Sequence, residues 1–217
     1  MSANAPHAVP RPHNLRRSLV HMASGLVALA VIQLVPDRSW LIGISGAFAV
    51  AAWTMEISRR FSTGVNALLM RFFKPIAHAH EATQVNSATW YATALFLLSF
   101  TCSPLACSIA VMVLGVADPV AAFVGRRWGT VRLRSGRSFE GFVGFLTSAA
   151  LIGLATMRVF YPELGVGVAV ALAGTGALVG AVTELVTTRW DDNFAIPVAV
   201  AFCVSMLGAT LGLPITG

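Results

Sequence analysis

Asp118 is the residue whose setting most demands a chemical explanation. It stands inside an otherwise apolar run from Leu105 to Val124, where an ionisable side chain costs about 3 kcal/mol or more unless it is paired or hydrated. A functional carboxylate is the default reading of such a position. The residues around it are Ala117-Asp118-Pro119-Val120-Ala121-Ala122-Phe123-Val124-Gly125-Arg126-Arg127-Trp128-Gly129. Helical spacing puts Asp118, Ala122 and Gly125 on one stripe. The pattern therefore predicts a lane of small residues leading from the carboxylate to the arginines, along which a nucleotide phosphate can lie. The plainer alternative is a helix end at which Asp118 pairs with Arg126.

The connection that follows carries Arg126, Arg127, Arg132, Arg134 and Arg137, then Ser138-Phe139-Glu140-Gly141 at the start of the next apolar run. Arginine offers a planar fork to phosphate oxygens. Ser138 is placed as an N-cap, and the helix terminus behind it would add backbone N–H groups and a positive dipole end. Basic loops also arise from membrane topology alone, so the acids carry the argument further. Asp118, Glu140, Glu184 and Asp192 fall at the inner ends of three apolar runs and in the connection between the last two. Magnesium takes one or two protein carboxylates, keeps several waters and shares phosphate oxygens. Local caps and ion pairs explain any one of these acids more easily than all of them together.

The elements that must position these groups follow from composition. Of 217 residues, 56% are hydrophobic and 11% charged, a balance that calls for a bilayer as solvent. Apolar runs near the length of a membrane span, roughly 20 residues, recur with short gaps. They predict an all-α polytopic bundle of about seven helices: Ser18 to Val35, Trp40 to Glu56, Ala88 to Ser103, Leu105 to Val124, Phe139 to Phe160, Gly165 to Val186 and Phe194 to Leu213. The third and fourth are separated only around Ser103, and a re-entrant hairpin is the competing arrangement there. With the amino terminus in the cytoplasm, every basic residue except Arg38 and Arg158 faces inward, as the positive-inside bias requires. All acids except Asp37 and Glu163 share that face, which the bias does not explain.

Ser58 to His80 mixes Phe61, Leu68, Leu69, Phe72 and Phe73 with Arg59, Arg60, Arg71 and Lys74, a composition suited to a helix lying in the interface. Residues 1–14 read as a disordered tail before a retained first helix, and 15–217 as a single membrane domain. Cys102, Cys107 and Cys203 lie in apolar runs with no CxxC pair, so neither a disulfide framework nor a thiolate metal site is indicated. The GxxxG spacings at Gly176 and Gly180 and at Gly208 and Gly212 are expected to be helix-packing faces.

These residues resemble the CTP-dependent lipid kinases, the family of dolichol kinase, phytol kinase and the CTP-dependent diacylglycerol kinase. The resemblance runs from about Arg16 to Pro197 as scattered motifs: Arg16-Arg17 with His21 and Gly25; Glu81 with Thr89-Trp90-Tyr91; Asp118-Pro119 through Gly125-Arg126-Arg127 and Gly129; Arg137-Ser138-Phe139-Glu140-Gly141; and Glu184 with Asp192-Asn193 and Ile196-Pro197. Ala117 stands where the family has Gly, Arg137 where it has Lys, and the Gly expected near Asn86 is missing.

The resemblance implies transfer of the γ-phosphoryl group of CTP to the hydroxyl of a long-chain lipid such as a polyprenol, a phytol-like alcohol or diacylglycerol. Arg126, Arg127 and Arg137, with Gly125 and Ser138, are then expected at the phosphates, Asn193 at the nucleotide or metal, and Asp118, Glu140, Asp192 and Glu184 at Mg2+. Asp118 and Glu140 are the expected catalytic carboxylates, Asp118 being the first candidate for general base and His21 the second. The partners expected are a lipid alcohol in the bilayer and a nucleoside triphosphate from the cytosol, with no nucleic acid, and a homo-oligomer is compatible with the sequence. The expected location is a bacterial cytoplasmic membrane, with the active site facing the cytoplasm. Two rivals use the same features: a cytidylyltransferase that forms a CDP-lipid, and a non-catalytic lipid transporter or scaffold.

Overall fold

The computed structural model describes residues 15–35, 37–73, 84–133, 135–187 and 190–213. The amino-terminal tail, Glu81, Arg134 and the stretch from Lys74 to His80 lie outside the described residues. The architecture is all-α: α1 Leu15–Leu34, α2 Arg38–Phe61, α3 Thr63–Phe73, α4 Ser87–Thr101, α5 Pro104–Met112, a π-type turn Val113–Ala117 continuing into α6 Asp118–Trp128, then α7 Phe139–Phe160, α8 Val166–Val186 and α9 Asp192–Thr210. Six helical segments are long and apolar enough to cross a membrane, with α5 to α6 counting as one. The expected third span, α4, has 15 residues and falls short of that length.

Helix starts are set by local chemistry. Asn86 accepts from the Ala88 N–H at 2.8 Å to cap α4, Ser103 from Ala106 N–H at 3.2 Å ahead of Pro104, and Asp191 from Asn193 N–H at 2.9 Å ahead of α9. Each satisfies a backbone donor that the helix leaves orphaned.

Paired ends show how deep each helix runs. At one end of the bundle Arg38 Nε donates to the Ser99 carbonyl at 3.1 Å, and Gln33 Nε2 donates to Ser108 Oγ and Tyr161 Oη, both at 2.9 Å. At the other end the Asn86 N–H donates to Glu56 at 3.2 Å. Helix α4 therefore runs antiparallel to α2 from Arg38 to Glu56 and does not turn back halfway. Trp53, Trp90, Trp190 and Phe194 meet edge to face or stacked near this second end, as aromatic residues do at a membrane interface.

The centre is the α5–π segment, apolar apart from Ser108 and almost wholly buried from Ala106 to Leu114, as a helix enclosed by others must be. Glycines on α8 receive it. A Cβ at Gly176 would lie 2.8 Å from Ile109 Cγ2, and one at Gly180 would lie 2.9 Å from Phe145 Cε1 and 3.0 Å from Val113 Cγ1. The Gly208–Gly212 spacing is not a packing face. Gly212 has φ +79° beyond the end of α9, where Leu213 N–H closes back on the Gly208 carbonyl at 2.9 Å and Gly212 N–H on Ala209 at 3.1 Å, a glycine-terminated helix end. The expected division at Glu56 also moves. Helix α2 continues to Phe61, Ser62 breaks it in an extended conformation, and α3 follows with Leu68 and Phe72 exposed.

Candidate active site at the polar end of the bundle

Two glycines decide where the site forms. A Cβ at Gly25 would lie 3.0 Å from the Val111 carbonyl oxygen and 3.1 Å from Gly115 Cα, so α1 crosses the π-type turn backbone to backbone. From that crossing His21 lies one turn back along α1, and Asp118 lies just beyond Gly115 on the antiparallel segment. Their side chains meet with His21 Nε2 and Asp118 Oδ2 3.9 Å apart. The turn has a local cause: Pro119 has no N–H to offer the Gly115 carbonyl, and its ring crowds that group. Wider π-type turns inside helices recur at functional sites. Asp118 does not pair with Arg126, so the helix-end ion pair is not its explanation. Arg126 and Arg127 are exposed and have no ion pair among the described residues.

The small-residue lane is filled by protein. A Cβ at Gly125 would lie 2.8 Å from Ser138 Oγ, one at Gly129 2.7 Å from Ser138 Cβ, and one at Gly141 3.1 Å from the Ala121 carbonyl. Helices α6 and α7 therefore pack tightly around Ser138, which is buried and caps α7 by accepting from Gly141 N–H at 3.0 Å. Between them the arginine-rich connection forms a small hairpin. Phe139 N–H donates to Val131 at 2.9 Å, Leu133 N–H to Arg137 at 2.8 Å, and Gly136 takes φ +81° at the tip. Glu140 clamps this hairpin: its Oε1 accepts from Thr130 N–H at 2.9 Å, Val131 N–H at 3.2 Å and the Thr130 hydroxyl.

The hairpin turns Arg137 inward, away from Arg132 and Arg126. Its guanidinium forks onto two acids, Nη1 to Glu184 and Nη2 to Asp192 Oδ2 at 2.6 Å, and so joins the starts of α7 and α9 to the end of α8. Burial works to lower the Arg137 pKa, but Asp192, Glu184 and Asp118 outweigh it and hold the group above its ordinary value. Asp118 is thus within electrostatic reach of the clamp. Among the described residues Asp192 Oδ1 is buried without a hydrogen-bond partner, as are His21 Nε2 and Glu140 Oε2.

Asn193 is tied to the cap of its own helix, its Nδ2 donating to Asp191 Oδ1 at 2.7 Å. Asp191 Oδ2 accepts from the Ser87 hydroxyl at 2.8 Å, and Ser87 in turn accepts from Arg17 at 3.4 Å. Ser87 carries no sequence signal beyond its place at a helix start, and Asp191 carries only that and its place among the inward-facing acids. A cleft of about 620 Å3 between α1 and α2 ends against Arg17, His21, Ser87 and Asn193.

The chain is 29% identical over 210 residues to a phytol kinase of Synechocystis, covering 93% of this chain and 82% of the relative. It is 25% identical to a CTP-dependent diacylglycerol kinase 1 of Eremothecium gossypii, covering 87% and 65% of the two chains. It is 24% identical to the protein of the same name in Saccharomyces cerevisiae, covering 86% and 70%. Relatives named phytol kinase and CTP-dependent diacylglycerol kinase, at modest identity over most of the chain, support the CTP-dependent lipid kinase family. No protein-family model and no solved structure matches the chain.

The resemblance leads one to expect Mg2+ at these carboxylates. Among the described residues no three His, Cys, Asp or Glu side chains gather into a cage. Among those residues Asp192 nonetheless keeps one buried oxygen without a hydrogen-bond partner, and Asp118 makes no hydrogen bond to any of them. One or two carboxylates with open valences suit an ion that shares its remaining positions with phosphate and water. Glu184, turned onto Arg137, and Glu140, turned onto the hairpin, are engaged elsewhere through the oxygens that bond.

Proposed function

We propose that this chain is a lipid-alcohol kinase that transfers the γ-phosphoryl group of CTP to the hydroxyl of a long-chain lipid at the cytoplasmic face of a bacterial inner membrane. The observation that carries the reading is the meeting, at His21 and Asp118, of an apolar cleft with a site that holds both arginines and carboxylates. A lipid hydroxyl and a triphosphate come from different solvents, and a helix-end site of this kind is where they can meet. The donor nucleotide follows from the family and the names of two relatives. The cytoplasmic side follows from the basic residues at this end, with seven crossings if α4 traverses the bilayer beside α2.

In the proposed reaction the alcohol oxygen attacks the γ-phosphorus, the bond from that phosphorus to the β–γ bridging oxygen breaks, and CDP leaves. The alcohol's proton passes to the His21–Asp118 pair. Their 3.9 Å separation is too long for a direct hydrogen bond, and one oxygen can lie within hydrogen-bonding distance of both atoms. His21 lines the cleft and Asp118 lies behind it, so the proton is taken at His21 Nε2, with Asp118 holding the charge that develops there. Mg2+, when bound through Asp192 and Asp118, would neutralise charge on the transferring phosphoryl group. Arg126 and Arg127, exposed and without an ion pair among the described residues, receive the triphosphate. Arg137 fixes the acids in place, Glu140 and Ser138 hold the hairpin, and Gly125 lets α6 and α7 close around them.

The test is product analysis with purified protein, labelled CTP and a panel of lipid alcohols. Labelled lipid phosphate together with CDP is the expected outcome. Pyrophosphate with a CDP-lipid would replace the kinase by a cytidylyltransferase, and no turnover of any alcohol would remove the catalytic reading.

A further inference from the structure

Helix α1 packs on α5, the π-type turn and α6, whereas α2 packs on α4 and α3. The space between α1 and α2 is the 620 Å3 cleft, lined by Val20, Val27 and Val31 on one side, Ile44 and Phe48 on the other, and Leu95 at its floor. It runs from Arg38 to Glu56 along α2, about 27 Å at 1.5 Å per residue, nearly the roughly 30 Å of a bilayer's hydrocarbon core. One end is the polar set Arg17, His21 and Asn193; the other is Arg38, held to the Ser99 carbonyl at 3.1 Å. Within a membrane such an apolar seam is filled by a hydrocarbon chain, since water gains no partners along it.

We infer that this seam is the acceptor site, and that it takes one linear or singly branched chain of about 20 carbons, with its hydroxyl at His21 and its tail toward Arg38. The inference rests on the kinase reading for the hydroxyl's fate, but not for the chain's place. The length follows from the span of the seam. An extended chain advances about 1.2 Å per backbone bond, so about 20 carbons reach along its roughly 27 Å. One lane between two helices suits a single-chain alcohol better than diacylglycerol.

The experiment uses the full chain in lipid nanodiscs with a 20-carbon alcohol that carries a photoreactive group near its tail, followed by peptide mapping. It reads binding without turnover. Labelling is expected on the α1 and α2 peptides that contain Val27, Val31 and Ile44, and Val31→Trp is expected to reduce it at least about tenfold through overpacking. Leu151→Trp, on an exposed face of α7, should leave it unchanged. Val31 lies ten residues from His21, about 15 Å along the helix. Hence Val31→Trp should also lower kcat/KM for the 20-carbon alcohol at least about tenfold while changing that for a roughly 10-carbon alcohol less than about twofold. Labelling confined to α7 or α8, equal loss for both chain lengths, or preference for diacylglycerol would overturn the inference. Correct labelling with no phosphorylation would leave the seam standing and reject the kinase reading.

Discussion

Replacing Asp118 by Asn separates a catalytic carboxylate from a structural one, because the two roles predict opposite pairs of results. The substitution keeps the shape and removes the charge. The structure sets the structural cost. Asp118 meets His21 at 3.9 Å, with side-chain exposures of 31% and 17%, and among the described residues it forms no ion pair with an arginine. A contact this long and this wet contributes about as much as an exposed ion pair, roughly 0.2 to 1 kcal/mol. Removing an intramembrane charge works in the other direction. Thermal unfolding in detergent should therefore shift by no more than about 4 °C either way, the equivalent of about 1 kcal/mol for a chain of this size. Phosphoryl transfer should fall at least about 100-fold, the low end for loss of a general base or its partner. The paired assays are a melting curve and the initial rate with labelled CTP at saturating alcohol. A variant that melts normally and turns over near the wild-type rate would refute the placement of the reaction at the α1–α6 crossing. A variant that melts far lower would make Asp118 a structural residue instead.

The clamp and the loop give further outcomes. Arg137→Ala should lower stability by about 3 to 5 kcal/mol, because it strands Glu184, which is nearly buried, whereas Arg126→Ala and Arg127→Ala should leave the melting temperature unchanged and weaken CTP binding in a filter or calorimetric assay. Arg137→Lys keeps the charge but cannot fork; it should retain activity at reduced stability, and full stability would mean that one of the two acids contributes nothing. Gly25→Ala puts a Cβ 3.0 Å from the Val111 carbonyl, so the crossing must open; stability should fall by about 1 to 3 kcal/mol, and activity should fall further than stability alone explains, since His21 and Asp118 separate. In a cysteine-free background, Glu163→Cys should react with an impermeant thiol reagent from outside intact cells and Arg132→Cys only after permeabilisation; the reverse pattern would invert the assigned orientation.

Much of the architecture was legible because hydrophobic run length and positive charge are local properties. The run containing Asp118, the cap at Ser138 and the break near Ser103 needed no knowledge of neighbours. What failed were statements about which side chains meet. Gly125 looked like part of an open lane because helical spacing orders residues on one helix and is silent on the helix that packs there. Arg137 carried the same local signal as Arg126, yet the hairpin turned by Gly136 sends it onto Glu184 and Asp192. The end of α2 was placed too early because the amphipathic residues after Glu56 fit an interfacial helix as well as a continued one. The widened turn before Asp118 had a signal, a proline four residues after Gly115, but its effect depends on α1 lying against that carbonyl.

That dependence bears on how such a site could be assembled. Asp118 alone is a costly charge in an apolar helix, and His21 alone is a ring whose Nε2 has no hydrogen-bond partner. Each becomes useful only where Gly25 and Gly115 let two backbones touch, and an α1 packed on α5, the π-type turn and α6 leaves the seam between itself and α2. One contact therefore does two things: it brings the candidate base to the carboxylate and leaves room for a chain to reach it. A bundle that closed α1 onto α2 would gain packing and lose the route by which a membrane-bound alcohol reaches a donor arriving from water. By this reasoning the exposed apolar residues Val27 and Ile44 along the seam are packing forgone for access. Substitutions there that tighten the α1–α2 contact should raise stability while lowering activity toward long-chain alcohols, a trade that a purely structural cleft would not show.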